Sequence, residues 1–278
     1  MITEFINMRE RIMRREPRFL GVGAQKSGTT WLHNMLEQHP GVFVPRRKEI
    51  MFFDVESNWE KGSEWYIEQF SDAVEGQLCG EVTPGYLWVC PKHADCDQEM
   101  EFRKDAPARV RDTLGKDVKF LVLLRNPIDR AISAYMHHVK KKRLSFDMPA
   151  REALHRSGIL HMGLYSLHLK RWFEVFERSN FHIWSFESML ENKQAYLRSV
   201  ARFLGIAEFP EGLEDLRVQY KYDYSRDDRG VLATVDGNEF RPMDDLDIDY
   251  MRGYFRDDVN RLKEMSCLSE DGWSQDFL

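Results

Sequence analysis

The sequence predicts a single α/β domain: a mainly parallel central sheet flanked by helices. Three observations carry this. Short apolar runs alternate with helix-period segments along the chain. Residues 118–124 are apolar almost throughout, as expected of a strand covered on both faces. No internal repeat or Pro/Ser linker divides the 278 residues, and 42% hydrophobic content with seven Trp and 18 Phe is ample for one core.

Residues 1–17 form an N-terminal extension of mixed charge, with no apolar run long enough for a signal peptide or anchor. A cytoplasmic chain without a membrane span is therefore expected. Phe19–Gly23 reads as the first strand. A helix follows over about 28–38, with Trp31, Leu32, Met35 and Leu36 facing inward, and it stops before His39-Pro40-Gly41. Residues 42–44 read as a second strand. Residues 54–116 resist assignment beyond helical pieces near 59–70 and a Pro/Gly/Cys stretch over 83–96.

After the strand at 118–124, Asn126 and Pro127 supply a cap and first-turn proline for a long helix. It reaches Lys140, Lys141, Lys142 and Arg143, cations that suit a solvated helix end. Helices are predicted over 164–177, 188–204 and 245–265, a strand over 181–186, and a mobile active-site loop over 222–243.

A net charge of −6 argues against nucleic-acid binding, so any anionic ligand must meet a local pocket. The four cysteines are too sparse for a disulfide framework and are read as reduced. Cys90, His93 and Cys96 lie close together, but Cys-x2-His-x2-Cys is not a familiar zinc spacing and no fourth ligand is evident. No metal is expected.

Gly23-Ala24-Gln25-Lys26-Ser27-Gly28-Thr29-Thr30 places a lysine, hydroxyls and a glycine where a strand turns into a helix. Unpaired N–H groups and the helix dipole make such a start an anion site. The Walker order fails because Lys26 precedes Gly28, and the dinucleotide fingerprint fails because Lys26 occupies the third glycine position.

The order from Gln25 to Trp31 resembles the 5′-phosphosulfate loop of sulfotransferases that use 3′-phosphoadenosine 5′-phosphosulfate (PAPS). Arg125 and Ser133, eight residues apart, resemble the same family's 3′-phosphate motif. An arginine fork at a strand end and a serine on the next helix suit one phosphate group, although a buried ion pair and a packing serine are the competing reading. Lys48-Glu49-Ile50-Met51-Phe52-Phe53 resembles a segment of the heparan sulfate sulfotransferase branch whose glutamate is the general base. An ordinary exposed Lys48–Glu49 pair is the alternative there.

The resemblance implies a P-loop-like fold, PAPS as donor with PAP as product, and no metal. Glu49 and Lys26 become the catalytic pair. Gln25, Lys26, Ser27, Gly28, Thr29, Thr30, Arg125 and Ser133 become cofactor-binding residues, with Tyr165 in a helix motif of bacterial members and Arg241 in the late loop. Gly80-Glu81-Val82-Thr83-Pro84-Gly85-Tyr86 resembles a further segment, but Val82 stands where the branch has lysine, which favours a small-molecule acceptor over a highly charged polysaccharide. The attacked atom, oxygen or nitrogen, and the oligomeric state are left open. A P-loop kinase-like enzyme and a non-catalytic PAP-binding protein are the other readings.

Overall fold

The computed structural model describes residues 15–89, 98–145, 148–214, 224–235, 237–267 and 273. Residues 1–14 of the N-terminal extension, and the cluster of Cys90, His93 and Cys96, lie outside the described residues. Strands β1 (Phe19–Gly23), β2 (Val42–Phe43), β3 (Leu78–Val82), β4 (Lys119–Leu124) and β5 (Phe181–Ser185) form one sheet in the order β2-β3-β1-β4-β5. Every neighbouring pair in it is parallel.

The helices are α1 (Thr29–Glu37), α2 (Glu56–Trp59), α3 (Gly62–Glu68), α4 (Gln98–Arg103), α5 (Ala106–Leu114) and α6 (Pro127–Lys140), followed by α7 (Ala150–Leu154), α8 (Tyr165–Phe173), α9 (Phe186–Glu191), α10 (Lys193–Leu204) and α11 (Asp245–Glu264). They cover both faces of the sheet. Phe120, Val122 and Leu124 of β4 join Ala131, Leu169, Trp172 and Phe255 in one cluster, while Leu121 and Leu123 join Trp31, Leu36 and Val200 in the other. Alternate residues of β4 thus enter opposite cores, which is why its sequence is apolar without a period of two. Each fully buried side chain of this size contributes about 1.5–3 kcal/mol.

The cap expected at α6 is present: the Asn126 side chain accepts from the Ile128 N–H at 3.0 Å and the Asp129 N–H at 3.3 Å. The helix expected over 188–204 is two, α9 and α10, divided at Asn192, whose side chain caps α10 through the Ala195 N–H at 2.9 Å. The α10 start is therefore set by a local cap inside an otherwise continuous apolar pattern.

Two segments depart further from the sequence expectation. The unassigned stretch 54–116 holds the central strand β3, which pairs with both β1 and β2. Its apolar signal is broken by Glu81 and by Gly80, where a Cβ would stand 2.4 Å from the Phe19 ring. The segment 222–243, expected as a mobile loop, contributes an antiparallel sheet of β6 (Tyr224–Asp227), β7 (Gly230–Val235) and β8 (Asn238–Asp244). Val231, Ala233 and Met243 are buried, in the same core cluster as Phe255 of α11. Apolar Leu232 on the opposite face of β7 blurs the alternation that would have revealed a strand.

Among the described residues no helix is long and apolar enough to cross a membrane. Cys79 and Cys267 are buried free thiols.

Candidate active site

The loop expected to hold phosphate begins where β1 ends, and the Ala24 N–H donates to the Leu123 carbonyl at 2.7 Å, which ties the loop to β4. Lys26 and Gly28 both take left-handed backbone, at φ 69° and 80°. Gly28 is required there twice over, since a Cβ would also meet the Phe186 ring at 2.8 Å. Gly28 caps α1 without any side-chain hydrogen bond, and no acidic residue lies in the first turn. The N–H groups and dipole of α1 are therefore left for an anion. Ser27 is fully buried and its hydroxyl has no partner among the described residues. Thr29 is buried, whereas Gln25 and Thr30 are half-buried.

Arg125 joins the two segments expected to bind phosphate. Its Nη1 donates to the Lys26 carbonyl at 3.2 Å, its Nη2 donates to the Tyr224 hydroxyl at 3.0 Å, and its guanidinium lies 5.2 Å from the Phe186 ring centre. Tyr165, fully buried, donates from its hydroxyl to the Arg125 carbonyl at 2.8 Å. Its hydroxyl is thereby committed to fixing Arg125. Ser133 is buried about two turns into α6. Tyr224 belongs to the segment expected as a loop, and no spacing in the sequence marks it. Arg241, expected at the cofactor, lies on β8 and pairs with Asp227 through both guanidinium ends, at 2.7 and 2.9 Å.

The site is strongly cationic. Burial, followed by Arg125, Arg130 and Lys48, pushes the Lys26 ammonium down to about 8, and Glu49 opposes the shift. Glu49 thus lies within electrostatic reach of Lys26. The Lys48–Glu49 pair forms at 2.7 Å, but its side chains are 22% and 32% exposed. A pair of this kind contributes about 1 kcal/mol at most, so it does not lock the carboxylate away from other work.

The segment carrying Glu49 is held at almost every residue. Glu49 and Met51 have φ of 65° and 56°, costly for residues with a Cβ. Asn58 Nδ2 donates to the Ile50 and Met51 carbonyls, each at 3.2 Å, and Arg109 donates twice to the Phe53 carbonyl, at 3.0 and 2.8 Å. Asp54 forms a buried 2.6 Å pair with Arg103. The Phe52 N–H donates to the Tyr86 hydroxyl at 2.9 Å. That hydroxyl donates in turn to Glu81 at 2.8 Å, and Glu81 also accepts from Tyr66 at 2.8 Å and Thr83 at 2.6 Å. Burial raises the Glu81 carboxyl to about 7 against the opposing pull of its three hydroxyl donors.

Glu81, Thr83 and Tyr86 stand together in the segment 80–86 already singled out in the sequence, but their hydrogen-bonding to one another and the part played by Tyr66 were not legible there. This arrangement predicts that Tyr86→Phe leaves the Phe52 N–H unpaired and shortens the Glu81 network. A loss of about 1–3 kcal/mol of stability is expected, read as a lower urea midpoint at unchanged slope. An unchanged midpoint would show that the hydroxyl bears no structural weight.

A cleft of about 1080 Å³, lined by His39, Gln77, Leu78 and Leu204 among others, opens near the amino ends of β2 and β3. It is not part of this site: Lys26, Glu49 and Arg125 are absent from its lining. The site lies instead at the carboxyl ends of β1 and β4, where ligands of open parallel sheets bind.

Residues 16–234 match the family described as the sulfotransferase domain. The chain belongs to that family. It is 31% identical over 201 residues to heparan sulfate glucosamine 3-O-sulfotransferase 3A1 of Mus musculus, and 27% identical over 201 residues to 3-O-sulfotransferase 5 of the same organism. Each match covers 68% of this chain, and 46% and 54% of the respective relative. The chain thus spans about half the length of these curated relatives. The crystal structure of a sulfotransferase from Alicyclobacillus acidocaldarius superposes with a TM-score of 0.68 at 25% identity, covering 93% of this chain and 98% of that one. The P-loop-like fold is that of these sulfotransferases, and the kinase-like alternative is set aside.

Proposed function

We propose that this sulfotransferase transfers a sulfuryl group from PAPS to a hydroxyl or nitrogen of a small-molecule acceptor, with Glu49 as general base. The observation that carries the reading is the Arg125 bridge, which brings the Lys26 loop and the α6 motif to one place. The donor set fits a polyanionic nucleotide: N–H groups at α1 without a side-chain cap, the Ser27 hydroxyl, unpartnered among the described residues, and the cations Lys26 and Arg125.

The loop amides from Gly28 to Thr30, with the hydroxyls of Ser27, Thr29 and Thr30, hold the 5′-phosphate, and Gln25 borders it. Arg125 and Ser133 hold the 3′-phosphate, with Tyr165 and Tyr224 orienting the guanidinium. When bound, PAPS supplies the sulfuryl group and a phosphate-terminated leaving half. Lys26 places positive charge where the departing oxygen becomes anionic, and Glu49 takes the acceptor proton. Positioning and charge account for most of the acceleration in such transfers, and no metal is called for. Buried Val82 offers the acceptor no cation, which supports a small or weakly charged molecule. The buried free thiols Cys79 and Cys267 are in keeping with a cytoplasmic enzyme.

Calorimetric titration of metal-free protein with PAP, ADP, AMP and ATP tests the reading. Micromolar PAP binding is expected, at least about tenfold tighter than the others, because charge-assisted bonds to a second phosphate add about 1.5–3 kcal/mol. Equal affinities would remove the 3′-phosphate pocket and with it the proposal.

A further inference from the structure

Arg130 is fully buried, and none of its Nε, Nη1 and Nη2 atoms has a hydrogen-bond partner among the described residues. A guanidinium carries five N–H donors and keeps its charge, so an unpaired one in a protein interior is costly. The carboxylates near its helix are engaged elsewhere. Asp129 pairs with Arg226 at 3.5 Å, Glu187 accepts from the Asn126 N–H and the Trp273 indole, and Asp258 accepts from Ser166 and Leu167. The charges that Arg130 meets are positive. It helps depress the protonation of Lys26 and of His138 and His168, and Arg125 acts against it in turn.

Its place on α6 says what the charge is for. Side chains of a helix lean toward its N-terminus, which directs Arg130 toward the start of α6, and Arg125 just before that start is within its electrostatic reach. Arg130 and Ser133 share one helix face by their spacing of three. Tyr165, whose hydroxyl fixes the Arg125 carbonyl, is also among the groups to which Arg130 is electrostatically coupled. An anion held by Arg125 and Ser133 would be the missing counter-charge.

We propose that Arg130 is the buried counter-charge of the nucleotide's 3′-phosphate: a selectivity residue that acts through the field and through Arg125 without touching the ligand. The proposal rests on the 3′-phosphate assignment of Arg125 and Ser133. In the free protein Arg130 lies within reach of the cations Arg125 and Lys26 with no hydrogen-bond partner of its own among the described residues, and binding of the 3′-phosphate relieves this. Arg130 therefore favours nucleotides with that phosphate over those without it, and costs the unliganded fold stability.

The test compares PAP with AMP, which lacks only the 3′-phosphate, on wild type, Arg130→Met and Arg130→Lys, together with unliganded melting temperatures. In R130M, PAP affinity is expected to fall at least about tenfold while AMP affinity stays within about twofold. R130K, which keeps the charge, is expected to hold PAP within about threefold of wild type. Unliganded R130M is expected to melt no lower than wild type, because an apolar side chain replaces an unpaired buried charge. R130Q is the second neutral variant, used should the Met variant not fold. PAP affinity unchanged in the neutral variants, or PAP and AMP weakened equally, would overturn the proposal. Wild-type protein that fails to prefer PAP over AMP would instead remove the underlying phosphate assignment.

Discussion

Glu49→Gln is expected to lower turnover by about 100- to 10,000-fold while leaving PAP affinity within about twofold. The carboxamide keeps the length and shape of the side chain but accepts no proton from the acceptor. The segment around it stays in place because its anchors are elsewhere: Asn58, Arg109, Arg103 and Tyr86 hold residues 50–54 through bonds that do not involve the Glu49 side chain. Losing the exposed partner of Lys48 costs about 1 kcal/mol at most. Single-turnover assays with labelled PAPS, paired with PAP calorimetry, separate the outcomes. Equal losses in turnover and affinity would mark Glu49 as structural, and unchanged turnover would exclude it as the base.

Lys26→Ala is expected to cost about 100- to 1,000-fold in turnover, the scale of losing one preorganised donor to a developing anion. Lys26 also gives the site a pH signature. Its ammonium titrates at about 8 in the free protein, chiefly because it is buried and then because Arg125 and Arg130 stand near. The anionic nucleotide prefers the protonated form, so PAP affinity should fall as pH rises through about 8. Stability of the free protein moves the other way. An unfolded chain, whose lysine titrates at 10.5, holds the proton more firmly than the folded one, so this group destabilises the fold fully below about 8 and that cost is relieved as pH rises to about 10.5. Lys26→Arg stays charged across that range and should abolish the decline in PAP affinity. A decline that persists in K26R would assign it to another group.

The parts of the site visible in sequence are those whose chemistry is local. The order Lys26-Ser27-Gly28-Thr29 puts a cation, a hydroxyl and a left-handed glycine at a helix start, and backbone geometry alone makes that an anion site. Arg125 and Ser133 are eight residues apart across a strand end and one capped helix, so their placement on those two elements was also legible. Tyr224 was not: it reaches Arg125 from an antiparallel sheet about a hundred residues away, through a contact that only the packing of β6 creates. The hold of Glu81 on the Glu49 segment runs through Tyr86, just after β3, to the Phe52 N–H, and is completed by Thr83 and by Tyr66 from α3, which only the packing brings to the carboxylate.

Hydrophobic periodicity, caps and the glycine-containing loop by themselves determined that this chain is one α/β domain with an uncapped helix start after its first strand. Those features are short-range: each depends on residues within a turn or a strand of one another. The tertiary structure decided that β3, with a carboxylate and a glycine in it, is a central strand, because Gly80 admits the Phe19 ring and Glu81 finds three donors only once the sheet has formed. It decided, too, that Arg130 is sealed in without a hydrogen-bond partner among the described residues, while Arg241 pairs with Asp227. Burial and pairing of charge are sums over contacts distant in sequence, and only the folded chain brings those contacts together.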